Sequence, residues 1–458
     1  MKSAFLSAFG IVFQIWKALT EEVKNQGGGD DDLRRIETNL ELRRKLAELI
    51  VDNKDCFQFT DERCVIQVPA LPRLTLEELK ARYSWIERIE RDDSPVCPVT
   101  LRLATVLKSG EDSINGATYE RRLVPRRSML LGLQTVDRSG QLVQPDFCYQ
   151  IHACDPLGKA SQFLSEYYNI PYFVLDIPPI VNETTRKYLL TQMLDAIEWM
   201  EKVSGKRYDD KKLIEAVYNE TDSMILWARV CQLNQAIPAP VDLRHLASLV
   251  MPLWTSKHKR ETVEYLQVLF DEVQERVKKQ ISARGFERLR LIHWGQWPWY
   301  FPRLLRVPEK YGALFIGSNA SFGVYAAYSV TDDGSWVVAD SLREQGIVLK
   351  TREEALNVLI DFYVNNPTIQ SLFPFSANTK SQVKLMEQWH TQAAVFNLSY
   401  DCKGMTSGQL EARLAIQKRG FPTLLYEVSS CDPRDFDEVQ VTDRLDSFLE
   451  SLGLSKES

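Results

Sequence analysis

The spacing of apolar positions changes along the chain, and each change predicts a change of element. Phe5, Phe9, Val12, Phe13 and Trp16 recur at the helical period, so a first helix is expected to dock its apolar stripe on the body of the protein or on a partner. Residues 4–16 are too short an apolar run to cross a bilayer, and Lys2 is the one charge before them, so neither a membrane span nor a signal peptide is the preferred reading. Gly27-Gly28-Gly29-Asp30-Asp31-Asp32 reads as a flexible turn before an amphipathic stretch, Leu33 to Val51. Residues 1–75 are therefore expected to form a helical N-terminal segment.

From about Leu76 the pattern is mixed, and from Pro145 it is clear. An extended run (Asp146 to Ala153), a helical run (Leu157 to Asn169) and an apolar run (Tyr172 to Asp176) predict a βαβ unit within a first α/β domain over 76–181. Helical periodicity then dominates 182–285, in Tyr188 to Val203, Lys211 to Gln235 and Lys259 to Ala283. Over 286–458, short apolar runs return at Leu289 to Trp294, Ala313 to Gly317, Ala394 to Ser399 and Thr423 to Val428. Helices are expected between and after them, at Arg303–Lys310, Arg352–Asn365, Thr406–Arg419 and Asp437–Leu452. Strand-helix alternation puts helices on both faces of a parallel sheet. The expected class is α/β, with two doubly wound parallel-sheet domains, a helical N-terminal segment and a helical connecting layer.

Composition narrows the function. The chain has 458 residues, more than one core usually organises, and its 44% hydrophobic and 26% charged residues suit a folded water-soluble chain. The net charge of −6 arises from 62 acidic and 56 basic side chains mixed along the sequence, which leaves no basic stripe for a nucleic acid. The eight cysteines, at 56, 64, 97, 148, 154, 231, 402 and 431, lack both disulfide-framework spacing and any CxxC pair, so a reducing cytoplasm is the expected location. A zinc ribbon is excluded on spacing.

Ligands of open parallel sheets gather beyond the carboxyl ends of the strands. Cys154 and Cys402 each follow an expected strand and precede an expected helix, so both are placed on such a rim, where helix N-termini favour thiolate over thiol. Spacing alone leaves ordinary buried cysteine as the preferred reading for any one of the eight.

Longer motifs carry a resemblance. Pro145-Asp146-Phe147-Cys148, His152-Ala153-Cys154-Asp155 and Ile170-Pro171-Tyr172-Phe173-Val174-Leu175-Asp176-Ile177-Pro178 look like the central motif of the benzoyl-CoA reductase and 2-hydroxyacyl-CoA dehydratase family. Arg288-Leu289-Arg290-Leu291-Ile292, Trp297-Pro298-Trp299 and Tyr311-Gly312-Ala313 resemble the start of its second domain. Asp401-Cys402-Lys403, Ser407-Gly408-Gln409-Leu410, Gly420-Phe421-Pro422, Asp432-Pro433-Arg434 and Arg444-Leu445 are similar to its closing motif. Trp-Pro-Trp and Asp-Pro-Arg look most like the larger cluster-bearing subunit of the ATP-dependent benzoyl-CoA reductases.

The resemblance implies a [4Fe–4S] cluster held by Cys97, Cys154 and Cys402, with Cys148, Cys64 and Cys431 as spare candidates. Val99 to Glu111 departs from the family pattern after Cys97, and Phe373 to Lys380 has no cysteine for a double cubane. It also implies a low-potential electron delivered to an acyl-CoA thioester, a homologous cluster-bearing partner subunit, and a separate ATP-hydrolysing iron–sulfur activator. The chain itself has no phosphate-binding loop: Leu157-Gly158-Lys159-Ala160-Ser161 has Ala153 in place of the first glycine. His152 and His293 are candidate proton carriers or hydrogen-bonded structural residues, and Trp294, Trp297 and Trp299 are candidate pocket walls or interdomain packing.

The leading expectation is thus a subunit of a dearomatising aryl-CoA reductase, with a 2-hydroxyacyl-CoA dehydratase subunit as the alternative. A non-catalytic electron-relay subunit and a metal-free two-lobed binding protein are the competing classes.

Overall fold

The computed structural model describes residues 147–152, 162, 165–166, 169–178, 182–250, 252–253, 257–284, 286–298, 301–366, 379–399, 406–429 and 436–456. The expected N-terminal helical segment, the first part of the first α/β domain and most of the helix at 157–169 lie outside the described residues.

Strands β1 (Cys148–His152) and β2 (Tyr172–Asp176) pair in parallel, Cys148 opposite Tyr172 and His152 opposite Asp176. Helix α1 (Glu183–Ser204) begins a turn and a half before the apolar period does. Its polar first turn is held by a capping box, in which the Asn182 side chain accepts from Thr185 N (3.0 Å) and Thr185 Oγ1 accepts from Asn182 N (2.8 Å). Helix α2 (Asp210–Leu233) follows, then α3 (Leu243–Leu249) and α4 (Arg260–Lys278). Helix α4 stops short of the expected Ala283 because Gln280 turns left-handed (φ 53) and Ile281 N closes on Arg276 O at 2.9 Å.

The second sheet is parallel, in the order β4 (Ala313–Ser318), β3 (Leu289–Trp294), β7 (Ala393–Asn397), β8 (Thr423–Tyr426). A ten-residue 3-10 helix, Pro302–Tyr311, joins β3 to β4; Pro308 removes a backbone donor inside it. Helices α5 (Arg352–Val364), α6 (Thr379–Gln388), α7 (Gln409–Lys418) and α8 (Glu438–Ser451) complete the described α-helices, and a π-helical turn, Ala320–Val324, follows β4. Besides α3, α6 and the π-helical turn, two strands escape the sequence reading: β5 (Tyr328–Val330) and β6 (Trp336–Val338) form an antiparallel hairpin whose three-residue strands are too short to display a period.

Alternation along the strands divides the interior. Ile292, Trp294, Leu314, Ile316, Ala394 and Phe396 face a core shared with α2, α4, α6 and α7. Leu289, Leu291, Ala313, Phe315, Ala393 and Val395 face the opposite core, under the 3-10 helix and α8. A third core forms around β1 and β2 from Phe147, Tyr149, Leu175 and the inner faces of α1 and α5. Helix α2 serves two of them: Leu213 and Val217 belong to the β1–β2 core, while Met224 to Cys231 belong to the sheet core.

Trp389, just after α6, is fully buried, stacks on Phe322 (centroids 5.1 Å apart) and donates its indole N–H to Cys231 O at 2.9 Å. Trp389→Ala is expected to cost about 3–5 kcal/mol, the range for deleting a large buried aromatic. Chemical denaturation checks this, and a midpoint like the wild type's would show that Trp389 is not the keystone of that core.

Candidate functional site

In the order β4-β3-β7-β8 the chain runs outward to β4 on one side and to β8 on the other, so the carboxyl ends of β3 and β7 mark the topological switch point of the sheet. Backbone and amide groups fix that rim. Gly295, directly after β3, has φ 83 and donates its N–H to Asn319 Oδ1 at 3.0 Å, past the end of β4. A Cβ on Gly295 would lie 2.5 Å from both Asn397 O and Gln409 Nε2, so only glycine allows the β3, β7 and α7 segments to approach this closely. Asn397, the last residue of β7, donates to Gln296 O (2.6 Å) and accepts from Val428 N (3.1 Å). Two asparagines thereby tie the carboxyl ends of all four strands.

The segment that carries Cys402 starts and ends at this rim. Thr406 Oγ1 donates to Ser399 O at 2.7 Å, which closes the two ends of that segment beyond β7. Helix α7 then starts at Gln409, with Gly408 (φ 75) as its N-cap residue. Cys402 itself, like Cys97, Cys154, Cys64, Cys431 and Trp299, lies outside the described residues. Cys148 opens β1. Among the described residues no group of histidine, cysteine and carboxylate side chains could hold a metal ion. Cys231 is a buried free thiol donating to Ser321 O at 3.5 Å, and burial pushes its pKa well up, so it is packing in the sheet core.

The two histidines differ. His152 ends β1 and Asp176 ends β2, and His152 Nδ1 meets Asp176 Oδ1 at 2.9 Å with both side chains partly exposed. The Gln192 amide holds Asp176 from α1, accepting from Asp176 N and donating to Asp176 O, both at 2.9 Å. His293, in β3, is fully buried, with Nε2 2.7 Å from Tyr426 OH and its ring edge-on to Trp297 and Phe315. Burial lowers its pKa to about 3, and the Gly295 backbone, which favours the protonated ring, offsets this only in part. The same burial keeps the Tyr426 hydroxyl protonated.

Trp294 is buried and stacks on Phe396 (6.0 Å, 16°), while Trp297 is buried on the other face of the sheet. Sequence reasoning missed Asn319, Asn397 and Gln192; an asparagine closing an apolar strand run was the available signal for Asn397.

A protein-family model described as 2-hydroxyglutaryl-CoA dehydratase, D-component, matches residues 103–452. The chain belongs to this family. It is 26% identical to the (R)-phenyllactyl-CoA dehydratase alpha subunit of Clostridium sporogenes, over 69% of this chain and 72% of that one. It is 25% identical to the alpha subunit of the (R)-2-hydroxyglutaryl-CoA dehydratase of Acidaminococcus fermentans, over 70% of this chain and 63% of that one, so it spans less than two thirds of that relative. Identity is also 25% to one subunit of the benzoyl-CoA reductase of Thauera aromatica, over 65% and 68% of the two chains. All three relatives are named as subunits of enzymes. Among the described residues no helix is long and apolar enough to cross a membrane.

Two outcomes follow from the rim. Gly295→Ala forces a left-handed residue with a side chain against the Asn397 carbonyl, and is expected to cost about 1–3 kcal/mol in strain and contact, read as a lower urea midpoint. His293 binds its proton far more weakly when folded, so stability is full above about pH 6.5 and declines as pH falls toward about 3. The decline is at most ~1.4 kcal/mol per pH unit. His293→Gln removes the titration while keeping a partner for Tyr426; urea unfolding should show a shallower acid decline, and an unchanged slope would assign the proton elsewhere.

Proposed function

We propose that this chain is the iron–sulfur subunit of an enzyme complex acting on acyl-CoA thioesters, supplied with single electrons by a separate ATP-hydrolysing activator. The observation that carries the reading is the family match over 103–452, together with the closure of the Cys402 segment's two ends beside the topological switch of a parallel sheet. Cys97, Cys154 and Cys402 would hold the cluster, with Cys148 as the spare. The site's surroundings suit thiolates: the N-terminus of α7, and so its positive dipole end, lies beside the rim. When bound, a [4Fe–4S] cluster supplies one electron at low potential.

The chain's own residues do the rest. Asp176 orients the His152 ring through Nδ1 at the end of β1, where we place a candidate proton carrier. His293, neutral and enclosed, holds β3 against β8 rather than moving protons. Trp294 and Trp297 brace the strand that delivers Gly295 to the rim. A second, homologous subunit completes the assembly in this reading.

The substrate reading we favour is a flat aryl-CoA thioester and its dearomatising reduction, because Trp297-Pro298-Trp299 and Asp432-Pro433-Arg434 resemble the reductase subunit. Dehydration of a 2-hydroxyacyl-CoA is the second reading, favoured by the dehydratase alpha subunits among the relatives. Iron and sulfide analysis after anaerobic purification is the test. Near-stoichiometric loading is expected in the wild type, with Cys154→Ala and Cys402→Ala each losing most of it. An iron-free wild type, or full loading in both variants, would remove the cluster from this chain. With the complex reconstituted, ATP-dependent reduction of benzoyl-CoA supports the reductase, and turnover of 2-hydroxyacyl-CoA alone supports the dehydratase.

A further inference from the structure

The junction of the β1–β2 core with the sheet core holds a group of buried charges that the site does not use. Glu220 lies midway along α2, between the residues that serve one core and those that serve the other, and is fully buried. Lys257, just before α4, is buried as well, and its Nζ sits 3.0 Å from Glu220 Oε1. Tyr363, near the end of α5, bridges them: its hydroxyl accepts from Lys257 Nζ at 2.6 Å and donates to Glu220, with the ammonium 5.1 Å from the ring centroid. Tyr363 packs against both cores.

Neighbouring bonds lock the same three elements. Asn219 Nδ2 donates to His258 O (3.1 Å) and Ser223 Oγ to Lys257 O (3.0 Å), so α2 grips the segment before α4 on either side of Glu220. Asn366, following α5, donates to Gly323 O (2.6 Å) and Ala326 O (3.2 Å), in the loop that leaves the carboxyl end of β4. Apolar groups of equal volume would fill this junction at least as stably, since burying an ion pair costs desolvation that its attraction barely repays. What directional bonds between three elements add is a single permitted arrangement.

We propose that Glu220, Lys257 and Tyr363 form a positioning triad that fixes one angle between the β1–β2 core and the four-stranded sheet. Resting on the reading above, the same angle sets the separation of the strand ends that deliver the Cys154 and Cys402 segments. The triad thus adds a directional constraint at the place where α2 and Tyr363 already join the two cores.

The test places non-cysteine probes at Glu198 on α1 and Gln417 on α7, both exposed, and measures their distance distribution in the full chain. Combined Glu220→Leu, Lys257→Met and Tyr363→Phe is expected to unfold near the wild-type temperature yet broaden the distribution by about two-fold. A wild-type distribution in that variant overturns the proposal. If the triple variant does not fold, Tyr363→Phe alone decides by the same readout: broadening supports the triad, no change overturns it. Anaerobic iron content is read in parallel, and is expected to fall by about half or more as the geometry spreads. Should the wild type take up no iron, the cluster reading fails while the distance measurement still judges the triad.

Discussion

Two asparagine amides at the sheet's carboxyl end hold together everything that leaves it. Asn319 and Asn397 convert four strand termini, each of which would otherwise leave loop polar groups to water, into one hydrogen-bonded platform. Gly295 makes it possible, because any side chain there would push β3's loop away from β7 and α7. The packed faces beneath hold the strands in register, and the platform aims the loops above them.

Sequence periodicity read the large elements well because long buried strands and amphipathic helices display their period plainly. Leu289 to Trp294 and Tyr172 to Asp176 begin and end as expected, the first run lying between Arg288 and Gly295 and the second between Pro171 and the Ile177-Pro178 pair. The α1 boundary was hidden in a polar first turn carried by capping, and the β5–β6 hairpin in strands too short to alternate. For the candidate site, what was legible was the strand-helix order that puts the switch point between β3 and β7; Cys154 and Cys402, expected beyond strand ends, lie outside the described residues. Which amides knit that rim together was not legible, because Asn397 finds Gln296 and Val428 only once three separate segments have folded.

The histidines show how environment separates equal residues. Both end or nearly end a strand, and by position alone they share one expected role. Enclosure by Trp297, Phe315 and Tyr426 makes His293 a neutral strut, whereas His152 is partly exposed and oriented by the Asp176 carboxylate.

Cys231 has a practical meaning for a protein whose thiols are its interest. Sealed between α2 and the turn after β4 and held protonated, it is a poor target for alkylating reagents and dissolved oxidants. Its modification would therefore mark molecules whose interior has opened, and mass mapping at that one position would separate unfolded material from damage at the rim.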